Sequence, residues 1–194
     1  MFSGPRVPSE RARGYIEGTF SIPPMLQVEA EIASTLGRTE SVFDSRVVRA
    51  IAACRTGTPP ELVARHLHWS EFESFGADLL KASGYGVEQD VVLKNPRAQI
   101  DILGRSGRIA VAVDCKRWSK SAAPGVAMKV ARAQGERAVL LRSARPYLEP
   151  IVAVILMISL EAPLLMEGAA VVPIHAFRDF LESLDSLVPE LTAY

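Results

Sequence analysis

The apolar run Ile109-Ala110-Val111-Ala112-Val113 ends in Asp114-Cys115-Lys116, and it is preceded by a second apolar stretch, Ile100-Asp101-Ile102-Leu103. Five successive aliphatic residues closing on a charged pair read as a buried strand whose last residues reach an edge of the sheet. Residues two apart on a strand project to the same side, so Asp114 and Lys116 point together and Cys115 points away. The segment Gly104-Arg105-Ser106-Gly107 reads as the hairpin turn joining the two strands. That fold brings Asp101 beside Asp114. Two hard oxygen ligands with waters suit Mg²⁺, with Mn²⁺ as a substitute, and a cation there would polarise a phosphate and acidify a water, with the neighbouring lysine to orient it.

Upstream, Trp69-Ser70-Glu71-Phe72-Glu73 opens a helix that runs through Phe75, Leu79 and Leu80 and stops at Gly84. Glu73, Ala77 and Leu80 lie along one face, which lets Glu73 look toward the strand carboxylates. Ser70-x-x-Glu73 also spells a capping box, and Glu71 is a second acid near the site. The order of these parts, Phe72-Glu73, Leu79-Leu80, Gly84-Tyr85, Asp101 and then Val113-Asp114-Cys115-Lys116-Arg117-Trp118, resembles the PD-(D/E)XK nuclease superfamily. It is most similar to the Mrr-like restriction enzymes and the archaeal Holliday-junction resolvases. The resemblance covers roughly residues 65 to 180. Gln99-Ile100 stands where the motif has a proline before its aspartate, and Asp114 replaces the commoner glutamate; both variations occur in this superfamily. The resemblance implies a restriction-endonuclease-like α/β core, a mixed central sheet flanked by helices, with Asp101, Asp114 and the main-chain carbonyl of Cys115 on the metal, Lys116 on the attacking water, and Glu73 supporting either.

Charge is distributed to match. The formal net charge is zero, yet Lys94 to Arg145 holds 12 basic residues against three acids, two of which are Asp101 and Asp114. A basic segment around two carboxylates attracts a polyanion while keeping local negative charge for a cation. Arg105, Arg117, Lys120, Lys129 and Arg132 are the expected contacts to nucleic acid. The longest largely apolar run, Ile151 to Leu160, is ten residues, half of the roughly 20 needed to span a bilayer, and reads as a buried strand. The start, Met1-Phe2-Ser3-Gly4-Pro5-Arg6, has no apolar core of a signal peptide. Cys54 and Cys115 show no metal-ligand spacing, so a reducing, cytoplasmic setting is expected. His66, His68 and His175 lack partners at ligand spacing, and no phosphate-binding glycine loop occurs.

In chain order, residues 1 to 24 read as a glycine- and proline-punctuated arm, Met25 to Leu36 as a short strand or helix, and Ser41 to Arg55 as a helix capped by Ser41 and Asp44. Thr58-Pro59-Pro60-Glu61 opens another, with Thr58 as N-cap. Val87 to Leu93 is a first strand, broken at Asn95-Pro96-Arg97. Val126 to Arg142 is helical, with Gln134 expected as a surface glutamine and a place beside the site as its alternative. Ile151 to Leu160 and Ala169 to Pro173 are strands, and Ala176 to Leu187 is a closing helix with Phe177, Phe180, Leu181 and Leu184 inward. The expected division is an arm and helical appendage at 1–64 and a nuclease-like unit at 65–194. The function expected is a Mg²⁺-dependent DNA endonuclease, dimeric, without a membrane segment, and open to a protein partner through its N-terminal region. The competing reading is a DNA-binding or assembly module on a nuclease fold with weak or lost catalysis.

Overall fold

The computed structural model describes residues 32, 45–118, 123–189 and 191. The expectations for the arm, for Met25 to Leu36 apart from Ile32, for the Ser41 and Asp44 helix start and for Lys120 lie outside them. The elements are α1 (Arg46–Arg55), α2 (Pro60–Arg65), α3 (Trp69–Ala82), β1 (Gly86–Lys94), β2 (Arg97–Ser106), β3 (Ile109–Lys116), α4 (Pro124–Ala144), β4 (Ile151–Met157), β5 (Leu164–Met166), β6 (Ala169–Pro173), a 3₁₀ turn (Ile174–Ala176) and α5 (Phe177–Leu187).

The six strands form one sheet in the order β1-β2-β3-β4-β6-β5. Antiparallel pairing joins β1, β2 and β3, parallel pairing joins β3 to β4 and β4 to β6, and β5 closes the edge antiparallel to β6. Helix α4 makes the β3-to-β4 crossover that a parallel pair requires. The expected mixed α/β architecture is therefore the observed one.

Alternation along the strands splits the core in two. Ile102, Val111 and Val113 face a layer built by Phe72, Phe75 and Leu80 of α3, by Phe177, Phe180 and Leu184 of α5, and by Ala50, Leu62, Val63 and Ala64 of the first two helices. Ala110 and Ala112 face Ala131, Ala138 and Leu141 of α4. All seven residues of β4 are buried, as a parallel strand covered on both faces must be.

Several boundaries differ from the sequence expectations, each for a local reason. The β2–β3 turn is Gly107-Arg108, because Ser106 pairs with Ile109 and Gly107 takes φ 57°. Gly104 lies inside β2 because a Cβ there would meet Val111 Cγ2 at 2.8 Å and Leu80 Cδ2 at 3.0 Å. The β1–β2 hairpin turns at Asn95-Pro96, with Lys94 paired to Arg97. Ser45 caps α1, its hydroxyl accepting from the Val48 N–H at 3.2 Å, and α2 starts one residue later than expected, with Pro59 as cap and Pro60 inside. Strand β4 stops at Met157, and the three-residue β5 carried no alternation long enough to read. Helix α5 begins at Phe177 and buries the four residues expected of it.

Candidate active site

Pairing of β2 with β3 runs from Ser106 opposite Ile109 to Ile102 opposite Val113 and stops there. One step further, where Asp101 and Asp114 would face each other, the strands part. The Asp101 carboxylate spans the gap, its Oδ2 accepting the Cys115 N–H at 2.8 Å. On the other side of Asp101 the ladder to β1 also lapses: Gln89 pairs with Ile102 and Val91 with Ile100, but Asp90 between them turns to φ 53°. A left-handed aspartate costs on the order of 1 kcal/mol. The sheet therefore forks at the residue that holds its first carboxylate.

Asp114 continues the Ala110 and Ala112 side of β3 and is almost fully buried, its side chain only 5% exposed. A buried carboxylate needs compensation, and two cations supply it. Lys116 Nζ stands 2.7 Å from Oδ2 and Arg137 Nη1 3.0 Å from Oδ1. Arg137 also donates to Gln134 Oε1 at 3.0 Å, and Gln134 Nε2 donates to the Ala112 carbonyl at 2.7 Å. Gln134 is thus a fully buried strut and not a surface residue. Asp114 Oδ2 is buried with no hydrogen bond in register despite the nearby ammonium, so that contact is Coulombic and not directional.

Glu73 reaches the same cluster from α3. Burial first, and then the charges of Asp101, Asp90 and Asp114, push its carboxyl up to about 7, while Lys116 pulls the other way. Asp101 is also raised, mainly by burial, against the lowering effect of the Cys115 N–H. The capping box is made by other residues: His68 is the N-cap, and its N–H donates to Glu71 Oε2 at 2.7 Å. Glu71 also pairs with Arg46 at 3.2 Å. Glu71 is therefore spent on the helix start, and Glu73 is left to face the acids.

The basic residues singled out in the sequence divide. Arg117, next to Lys116, donates to the Arg65 carbonyl at 3.0 Å. Lys129 is exposed on α4. Arg132 is held by Glu167 at 2.9 Å, and Arg105 stacks over the Tyr147 ring, 5.9 Å from its centroid, four residues and roughly 13 Å along β2 from Asp101. Arg137 and Asp90 are the neighbours sequence reasoning missed, and Gln134 is one it placed on the surface. Asp90 left one trace, an acid interrupting Val87 to Leu93.

Against known families, residues 64–139 match the family model Mrr_cat, described as a restriction endonuclease. This segment is similar to a restriction-endonuclease domain, and the mixed sheet around it is consistent with the PD-(D/E)XK type. No curated protein matches the chain. The Mrr_cat segment runs from the end of α2 into α4 and so contains Glu73, Asp90, Asp101, Asp114, Lys116 and Arg137. Nucleases of this family generally use divalent metal ions. The donor set fits one: hard carboxylate oxygens, two of them on groups whose ionisation their surroundings oppose, are what a small divalent cation neutralises. Among the described residues no group of three His, Cys, Asp or Glu side chains is arranged to hold an ion, so protein side chains would supply few of the ligands. No helix among them is long and apolar enough to cross a membrane.

Proposed function

We propose that this chain is a divalent-cation-dependent DNA endonuclease that hydrolyses phosphodiester bonds. The observation that carries this reading is the junction of Asp101, Asp114, Lys116 and Glu73 at the fork between β2 and β3, inside the restriction-endonuclease domain. Asp101, Asp114 and the Cys115 carbonyl would hold Mg²⁺, with Mn²⁺ able to replace it, and the ion would supply charge neutralisation at the phosphate and a more acidic water. The chain's own groups do the rest. Glu73, near half-ionised at neutral pH, accepts the proton of the attacking water. Lys116 orients that water and offsets developing negative charge. Arg137, fixed by Gln134, holds the Asp114 carboxylate in place. The Asp101 bond to the Cys115 N–H fixes the two strand ends relative to each other.

Residues 65–194 form the nuclease unit in this reading and 1–64 its appendage, and a dimer would bring two sites to the two strands of a duplex. The test is a cleavage panel of linear, single-stranded, flapped and four-way DNA with Mg²⁺ or Mn²⁺. Cleavage of at least one substrate is expected, and Asp114→Asn and Lys116→Ala should each lower the rate by about 10²- to 10³-fold while DNA is still bound. No cleavage where binding is demonstrated would leave the binding-module reading.

A further inference from the structure

We propose that Trp69 is a stacking platform for an unpaired nucleobase beside the bond that is cut, an inference that rests on the nuclease reading and narrows its substrate class. Helix α3 crosses the sheet closely at Gly76, where a Cβ would meet Leu156 Cδ2 at 2.9 Å, Ile102 Cδ1 at 3.1 Å and Cys115 Sγ at 3.8 Å. Further along, Leu80 lies against Gly104 and Val111. Passing from Leu80 back to Gly76 therefore moves along β3 from Val111 toward Cys115, one residue short of the strand's end at Lys116. Trp69 stands seven residues before Gly76 and eleven before Leu80, two and three full turns, so all three side-chain positions point the same way. Glu73 lies between them on that stripe.

Gly76 and Leu80 are buried on the sheet, whereas Trp69, about 10 Å past Gly76 at 1.5 Å per residue, is 69% exposed. At that distance the helix extends past the end of β3, which places Trp69 on the stripe of Glu73, one turn beyond it and open to solvent. The rim is fixed, because Arg117 ties the end of β3 to the Arg65 carbonyl just before α3. The other tryptophan is used differently. Trp118 packs against the α4-side core, and its carbonyl accepts the Ser159 hydroxyl at 2.6 Å.

A flat, exposed aromatic face one helical turn from Glu73 suits a base attached to a phosphate backbone. In an intact duplex the base faces are already stacked, so the platform engages a nucleotide that is single-stranded, flapped or extruded. The site then selects DNA with an unpaired nucleotide adjoining the scissile phosphate.

Trp118→Phe leaves Trp69 as the sole indole. In that variant, without divalent cation, titration with an oligo-dT strand should quench emission saturably, and an abasic strand of the same length should not. Trp69→Ala should weaken oligo-dT binding by roughly 5- to 150-fold, with circular dichroism and blunt-duplex affinity unchanged. Emission indifferent to oligo-dT, equal responses to the two strands, or Trp69→Ala binding oligo-dT like the parent would overturn the proposal; a second copy or another part of the chain covering Trp69 would give the first of these. A chain that shows the base-dependent quench but cuts nothing loses the nuclease reading and keeps the platform. One that cuts DNA and is indifferent to Trp69→Ala does the reverse.

Discussion

At the residue scale Glu73 carries a cost that depends on pH. Its carboxyl is raised from 4.5 to about 7 in the folded chain, so between those values the folded state binds a proton that the unfolded state releases. The penalty is absent below about 4.5, grows as pH rises through the window, and is complete above about 7. Glu73→Gln removes it. The melting temperature of the variant should therefore exceed the parent's at pH 8, and the gap should close by pH 4.5; a gap independent of pH would show that neither burial nor the neighbouring acids raise the Glu73 carboxyl. Gln134 shows a different economy, with one amide tying the Ala112 carbonyl to Arg137. Gln134→Leu keeps the volume and deletes both bonds, and chemical denaturation should report a loss of about 1–3 kcal/mol.

At the scale of elements, the decisive feature is how closely α3 lies on β2 and β3. Glycine at 76 and at 104 removes the two Cβ atoms that would hold the helix off, and Glu73 reaches the fork only because of that approach. Gly104→Ala would drive a methyl into Val111 and Leu80, both in the core. Overpacking of this kind costs about 1–3 kcal/mol, and the midpoint of urea unfolding should fall accordingly, with cleavage falling too as Glu73 retreats. The turn and cap positions show how locally competing signals resolve. Ser70-x-x-Glu73 and His68 with Glu71 are both possible starts for α3, and the second is used because Glu71 also meets Arg46 of α1. The same helix-to-helix contact frees Glu73.

For the whole molecule, a cation bound by the folded chain alone should raise its stability by mass action. Saturating Mg²⁺ at about 100 times its dissociation constant contributes roughly 2.7 kcal/mol. A rise in melting temperature with Mg²⁺ is expected for the parent and should vanish in Asp101→Asn combined with Asp114→Asn; an equal rise in both would locate the ion elsewhere. The basic segment adds the long-range part. Among the described residues its bases are carried largely by the two hairpins and α4, and the engagement of Arg132 with Glu167 and of Arg105 with the Tyr147 ring leaves fewer of them for a polyanion than composition suggests.

Strand periodicity alone set the side-by-side projection of Asp114 and Lys116, since the two-residue repeat of an extended chain is independent of what packs around it. The apolar runs of β3, β4 and β6 and the inward stripe of α5 were readable for the same reason, and with the helix before them they announced a nuclease-like α/β core. Arg137 and Gln134 were not readable as partners of Asp114, because they lie 23 residues from it and 22 from Ala112 respectively and meet there only once the β3–α4–β4 crossover lays α4 on the sheet. Asp90 entered the acidic cluster through a strand irregularity. Those are relations between elements, fixed by packing distance and register, and no periodicity within one segment contains them.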